Sequence, residues 1–312
     1  MAVEVPPLGN RYDVAGRRLM LYRSGTGGPT VVFLPGVGLM SLDYLNIHDR
    51  VAERTTSVLY DRAGNGWSDP AVLPRTAAEV TDELRDLLAT AAVPGPYLLV
   101  GHSLGGAYAL HWARRFPGDV AGLLLLDPFH EDLSVRTPPH VRDRLDRMLD
   151  EMRRQEVTEP TAEQFQQSRE QLTRHFAAWP DAVRGPLVER HLATWRAASQ
   201  ENQNLYDKVA EEFRRAPDTP DVPLIVLSAM GYDATQAQLW PEDDLRRIQE
   251  AKRTLHRELA GQSALGEHRI LDEAGHGWLH EECPDAVLDA VDDLLHRIRR
   301  ARNRSVAEPI SG

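Results

Sequence analysis

Apolar residues gather in short, uninterrupted runs toward both ends of the chain, and take spaced, helical positions through its middle. Tyr12 to Ala15 and Arg18 to Tyr22 flank Gly16 and predict a hairpin. T-V-V-F-L (Thr30 to Leu34) stops at Pro35-Gly36, and T-S-V-L-Y (Thr56 to Tyr60) stops at Asp61. Tyr97 to Val100 ends at Gly101, Leu123 to Leu126 at Asp127-Pro128, Leu224 to Leu227 at Ser228-Ala229, and Arg269 to Leu271 near Gly275. Runs that stay apolar without alternating predict strands covered on both faces.

Helical spacing lies between these runs. From Ala77 to Ala92, Val80, Leu84, Leu87 and Leu88 form one stripe, with Thr76 as N-cap and Glu79 completing a capping box. Leu104 to Phe116 and Asp285 to Arg299 predict two further helices, the second opened by Pro284. Strand then helix, repeated, predicts an α/β fold: a mostly parallel sheet with helices on both faces. From about His130 to Asp221 the strand-like runs disappear, and helical spacing covers Pro139 to Glu156, Ala162 to Trp179 and Ala182 to Phe213. We read 130–221 as an inserted all-helical cap, and 1–129 with 222–300 as the α/β core. Residues 301–312 are expected to form a disordered tail.

Composition narrows the function. Hydrophobic residues make up 42% and charged residues 27% of 312, enough for a sizeable core. The formal net charge of -11 argues against binding nucleic acid or anionic lipid, since only Arg299 to Arg304 is locally basic. Cys283 is the single cysteine, which excludes an internal disulfide or a thiolate metal cluster, and it reads as a bystander thiol. The N-terminus lacks a signal-peptide pattern and no apolar run spans a bilayer, so a cytoplasmic protein without a membrane partner is expected. Nothing in the pattern indicates a metal or an organic cofactor, and oligomeric state is not encoded legibly.

The chemistry concentrates at V-G-H-S-L-G-G (Val100 to Gly106). Strand, G-x-S-x-G, helix sets Ser103 on a tight turn, and Gly101 and Gly105 remove side chains that would collide there. The helix that follows aims its N-terminus at the site, where N-H groups favour negative charge. E-A-G-H-G-W carries His276 after the last strand, placed to take the Ser103 proton and return it. Other histidines, among them His102, His130, His175, His191 and His256, read as surface or packing residues. L-P-G-V-G (Leu34 to Gly38) lets the Val37 N-H join the Leu104 N-H as an oxyanion hole.

Together L-P-G-V-G, Y-D-R-A-G-N-G-W-S-D, V-G-H-S-L-G-G, L-L-L-L-D-P and E-A-G-H resemble the α/β-hydrolase superfamily over most of the chain. The resemblance implies an eight-stranded sheet with a helical cap after the sixth strand, and a nucleophile, acid and histidine in the order Ser, Asp, His. Many members carry His-Gly where this chain has Pro35-Gly36. The resemblance nominates two acids. Asp233 follows the strand after the insertion, and Asp127 ends the strand before it; the L-L-L-L-D-P-F-H-E-D pattern favours Asp127. The implied activity is hydrolysis of an ester, lactone, thioester or amide of a small organic substrate through a Ser103 acyl-enzyme. A non-hydrolytic member (acyltransferase, lyase or haloperoxidase-like) and an inactive ligand-binding member are the alternatives. Phe165, Phe176, Trp179 and Trp195 in the insertion suggest an apolar or mid-sized organic acyl group, although a helical stripe of aromatics is more often core than pocket; no substrate-binding residue is singled out.

Overall fold

The computed structural model describes residues 5–154, 158–214, 219–232 and 240–307. Eight strands form one sheet in the order β1-β2-β4-β3-β5-β6-β7-β8. They are β1 (Asn10–Val14), β2 (Arg17–Ser24), β3 (Thr30–Leu34), β4 (Ser57–Tyr60), β5 (Tyr97–His102), β6 (Val120–Leu126), β7 (Leu224–Ala229) and β8 (Gly266–Leu271). β1 and β2 run antiparallel to their neighbours; every pairing from β4 to β8 is parallel. The hairpin between β1 and β2 turns at Ala15 and Gly16, both at positive φ, and the Asp13 carboxylate accepts the Gly16 N-H.

Continuous apolar runs let the central strands bury both faces. Leu124 and Leu126 of β6 pack on one side with Val31, Phe33, Leu98 and Val100. The covering helices there are α1 (Leu45–Ala52) and the C-terminal α11 (Pro284–Ala307), through Ile47, Val51, Val291 and Leu294. Leu123 and Leu125 face the opposite layer, against Leu84 and Leu88 of α2 (Ala77–Thr90) and Ala107 and Leu110 of α3 (Leu104–Arg115). Each fully buried leucine contributes about 1.5–3 kcal/mol relative to exposure in water. The expected capping box opens α2: the Thr76 side chain accepts from the Glu79 N-H, and the Thr76 N-H donates to Glu79 Oε2 at 2.8 Å.

The described residues between β6 and β7 form helices joined by short irregular links, with no strand among them. The helices are α4 (Leu133–Arg136), α5 (Pro139–Arg154), α6 (Ala162–His175), α7 (Asp181–Asn204) and α8 (Ala210–Phe213). A π-helical stretch, Leu205–Val209, joins α7 to α8. After β7 come α9 (Glu242–Ala260), which the sequence reading did not pick out, β8, and the short α10 (Leu279–Glu282). The last helix also departs from expectation, running on to Ala307 rather than ending near Arg299. Alanine and arginine are good helix formers, and the Arg299 guanidinium is anchored on the Gly28 and Arg54 carbonyls. Of the tail expected to be disordered, 301–307 are therefore helical, and 308–312 lie outside the described residues.

Candidate active site

Ser103 sits between β5 and α3 at φ 50, ψ -116, a backbone conformation that costs a non-glycine residue about 1–3 kcal/mol. Its surroundings hold it there. The Ser103 N-H donates to Leu126 O (3.0 Å), and its carbonyl accepts from Ala107 (3.2 Å) and Phe129 (3.1 Å). The flanking glycines allow the chains to cross. A Cβ on Gly105 would stand 1.9 Å from Leu34 O, and one on Gly101 would stand 2.4 Å from Gly105 O.

His276 reaches this turn from the loop after β8. Its Nε2 lies 3.0 Å from Ser103 Oγ, and its Nδ1 lies 2.6 Å from Asp127 Oδ2. A carboxylate only accepts, so Nδ1 carries the proton and Nε2 is left to accept from the serine hydroxyl. Asp127, at the end of β6, is itself at positive φ (41) and fully buried. Its Oδ1 accepts from the Ala229 N-H (3.0 Å), and its Oδ2 also accepts from Lys252 Nζ (2.9 Å). Burial pushes this carboxyl up. Lys252 and the His276 hydrogen bond outweigh burial and hold it well below the ordinary carboxylate range. The competing acid, Asp233, lies outside the described residues.

Three histidines read as surface or packing residues line the site: His130 is half-buried, while His102 and His256 are buried. His102 bonds Tyr44 Oη through Nδ1 (2.7 Å) and the His276 carbonyl through Nε2 (2.7 Å). Burial, then the neighbouring His276, lowers it to about 3. His256 on α9 donates from Nε2 to Pro128 O (3.0 Å) while its Nδ1 meets Ser228 Oγ (2.7 Å). Burial lowers it to about 4.

Val37 lies in the loop after β3 and Leu104 is the first residue of α3. The loop is braced by Arg62, whose Nη1 and Nη2 donate to Pro35 O (2.8 Å) and Gly36 O (2.7 Å). Arg62 stands within Y-D-R-A-G-N-G-W-S-D, a motif that by itself assigns it no role. Lys252 is not among the residues expected from sequence, although α9 carries a legible signal: an acidic first turn after Pro241 and apolar Leu245, Ile248, Leu255 and Leu259 on one face.

Ser103 and His276 open into a cavity of ≈ 510 Å³. Its walls include Val37 and Leu39 from the core, Leu205 and Tyr206 from the π-helical stretch, and Leu245 and Ile248 from α9. The extra residue per turn in a π stretch is a recurrent feature of functional sites. Among the aromatic residues of the insertion, Phe176 and Trp179 take the core role that a helical stripe of rings more often has. Phe176 and Trp179 are buried in the core, with Trp179 Nε1 donating to Leu42 O (2.8 Å), and Phe165 pairs edge-on with Trp195. Cys283 is half-buried, and burial, then Glu282 and Glu273, push its thiol up, away from nucleophilic behaviour. His130, Glu131 and Asp132 bring ligand atoms within 4.8 Å of one another. They are consecutive loop residues, and His130 Nδ1 already accepts from the Asp132 N-H (3.2 Å), so no metal is assigned to them. No helix among the described residues is long and apolar enough to cross a membrane.

A mostly parallel eight-stranded sheet, a helical insertion after the sixth strand, and a serine at a strained strand-to-helix turn define the hydrolase class of α/β proteins. The Alpha/beta hydrolase family pattern matches residues 31–290, and the chain belongs to that family. It is 32% identical over 195 residues to the Bacillus subtilis protein YqjL, covering 60% of this chain and 72% of that one. It is 41% identical over 117 residues to the pimeloyl-[acyl-carrier protein] methyl ester esterase of Chromobacterium violaceum, covering 38% of this chain and 44% of the esterase. A third relative, YbdG of Bacillus subtilis, is 28% identical over 121 residues, and the match spans only 37% of its length and 38% of this chain. Among solved structures, the enol-lactonase of Burkholderia xenovorans LB400 superposes with a TM-score of 0.63 at 18% identity, covering 92% of this chain and 99% of the lactonase.

Proposed function

We propose that the protein is a serine hydrolase that cleaves an ester-type bond of a small, largely apolar substrate through a covalent intermediate on Ser103. One observation carries the reading: Ser103 Oγ, both His276 ring nitrogens and Asp127 Oδ2 form an unbroken line of contacts at 3.0 and 2.6 Å. His276 takes the hydroxyl proton as Oγ attacks the acyl carbon, a contribution of about 10²- to 10⁴-fold. Asp127 holds the imidazole in the accepting tautomer and stabilises the imidazolium. The N-H groups of Val37 and Leu104 receive the developing oxyanion. His276 then returns the proton to the leaving alcohol. Water attacks the acyl-enzyme by the same route, releasing the acid and freeing Ser103. Each of these steps is carried by the chain's own groups. The apolar cavity walls favour a hydrocarbon or aromatic acyl group. The esterase and the lactonase among the similar proteins support an ester or lactone over a thioester or amide. We read 130–221 as the cap that excludes water during turnover.

Labelling with a fluorophosphonate, followed by turnover of p-nitrophenyl esters graded in acyl length, tests this. The expected result is labelling and hydrolysis by the wild-type chain and neither by Ser103→Ala. A folded wild-type protein that is not labelled supports a binding protein. Labelling with acyl transfer to an added alcohol in place of hydrolysis supports a transferase.

A further inference from the structure

The loop that carries Val37 is held from two sides by one buried ion pair. Arg62 is 1% exposed and follows β4 by two residues. Beyond the Pro35 and Gly36 carbonyls, its Nη2 donates to Glu201 Oε2 (2.5 Å) and its Nε to Glu201 Oε1. Glu201 belongs to α7, in the inserted segment, 139 residues away in sequence. The same helix touches the loop twice more. Glu201 Oε2 lies 3.5 Å from the Gly38 N-H. A Cβ on Gly38 (φ +70) would meet Ala198 Cβ at 3.3 Å, and Ala198 precedes Glu201 by three residues, on the same helical face.

The geometry bears on Val37 through peptide planarity. The Gly36 carbonyl and the Val37 N-H are opposite ends of one trans peptide unit and point in opposite directions. Whatever fixes the carbonyl therefore aims the N-H. Arg62 fixes it, and Arg62 is a buried cation that keeps its place only while a carboxylate neutralises it. That carboxylate comes from the inserted helices and not from the core.

We propose that Glu201 is a positioning residue: by neutralising and orienting Arg62 it sets the peptide that presents the Val37 N-H, so the oxyanion site is complete only when the helical segment is seated. This inference rests on the acyl-enzyme reading above. Glu201 touches no reacting atom in that scheme; it acts through Arg62 and the Gly36-Val37 peptide.

The test uses the full chain with the ester panel. Glu201→Ala is expected to lower kcat by about 10- to 100-fold, short of the 10²–10³ lost when an oxyanion donor is removed outright. KM should stay within a few-fold, since the interaction lost belongs to the transition state. Fluorophosphonate labelling should slow in parallel. Glu201→Gln, which keeps the size and one acceptor, should fall between, and Glu201→Asp should recover part of the rate. Glu189→Gln removes an acid on the exposed face of the same helix, paired with Arg169, and should behave as wild type. Folded Glu201→Ala with wild-type kcat overturns the proposal, as does a loss confined to KM. If Glu201→Ala does not fold, Glu201→Gln is read in its place. Failure of both to fold makes the pair a fold determinant and also overturns the positioning role. Hydrolysis that survives Ser103→Ala instead overturns the acyl-enzyme reading itself, and the two failures are thereby distinct.

Discussion

His102 Nε2 stands 2.7 Å from the carbonyl oxygen of His276, so the neighbour of Ser103 along the chain holds the backbone of the residue facing Ser103 in space. A carbonyl only accepts, which places the His102 proton on Nε2 and leaves Nδ1 to accept from the Tyr44 hydroxyl. The Tyr44 oxygen in turn accepts from the Gly36 N-H at 3.3 Å. One neutral, buried imidazole thus ties together the serine turn, the histidine loop and the loop of Val37.

Replacing His102 by leucine deletes both bonds at similar volume. Each buried partner left unpaired costs about 1–3 kcal/mol, so the melting temperature should fall. Displacement of the His276 loop should lower kcat by about 10- to 100-fold, in line with the sensitivity of catalysis to misplacements near 1 Å. Steady-state kinetics beside a thermal melt separate the two effects. A variant that melts lower yet keeps wild-type kcat reduces His102 to packing.

Asp127→Asn should lower kcat by up to ~10⁴-fold, because the amide no longer selects the His276 tautomer. Asp233→Asn should leave kcat within a small factor. The asymmetry is expected because Asp127 already engages His276, Lys252 and the Ala229 N-H. Equal, mild effects of the two substitutions remove Asp127 from the mechanism.

Much of this architecture is legible in residue order. T-V-V-F-L and L-L-L-L bury both faces because neither carries a polar alternate, and this marks them as interior parallel strands. G-H-S-L-G reads as a strained turn since only glycine tolerates the backbone crossings at positions 101 and 105. What stays illegible is contact between distant segments. Nothing in the local pattern of α9 says that Lys252 meets Asp127, or that Glu201 meets Arg62; both pairs form only after the sheet and the insertion close on each other. The aromatic residues of the insertion are ambiguous for the same reason. A stripe of rings looks alike whether it faces a cavity or a core, and Phe176 and Trp179 face the core.

Glycine substitutions should divide sharply by position. Gly105→Ala drives a Cβ into the Leu34 carbonyl at 1.9 Å and should destabilise by more than about 2 kcal/mol, with loss of soluble yield. Gly185 lies exposed within α7, with nothing but its chain neighbours near an added Cβ, and the next residue is Pro186. Gly185→Ala should change stability by less than about 1 kcal/mol, because the helix propensity gained is offset by crowding of the new Cβ against the Pro186 ring. Urea midpoints measure both. A tolerated alanine at 105 contradicts the close crossing of β3 and α3.

Stability should fall as pH drops from neutrality, and buried histidines set the window. Burial lowers His48 and His256 to about 4, and burial with the nearby His276 lowers His102 to about 3. Unfolded histidine titrates near 6.5, so between 6.5 and 4 the unfolded chain binds more protons than the folded one. Unfolding free energy then rises with pH across that interval, by up to about 1.4 kcal/mol per pH unit for each fully shifted group. Asp127 acts in a lower window. Its carboxyl is held below the ordinary value, so its contribution is complete above about pH 4 and is lost only in stronger acid. Asp61 and Glu281, which burial pushes up, oppose the trend, because the folded state gains protons there first. His111, His130, His268 and His280 are lowered by burial too, and Asp49 is raised; with seven lowered histidines against three raised carboxyls among the described residues, urea midpoints should drop from pH 7 to pH 5. His48 isolates the effect, since it bonds Ser24 and Ser57 (both 2.8 Å) away from Ser103. His48→Asn should flatten the pH dependence while leaving ester hydrolysis intact. A wild-type midpoint that is constant or rises between pH 7 and pH 5 contradicts the burial of these rings in their neutral form.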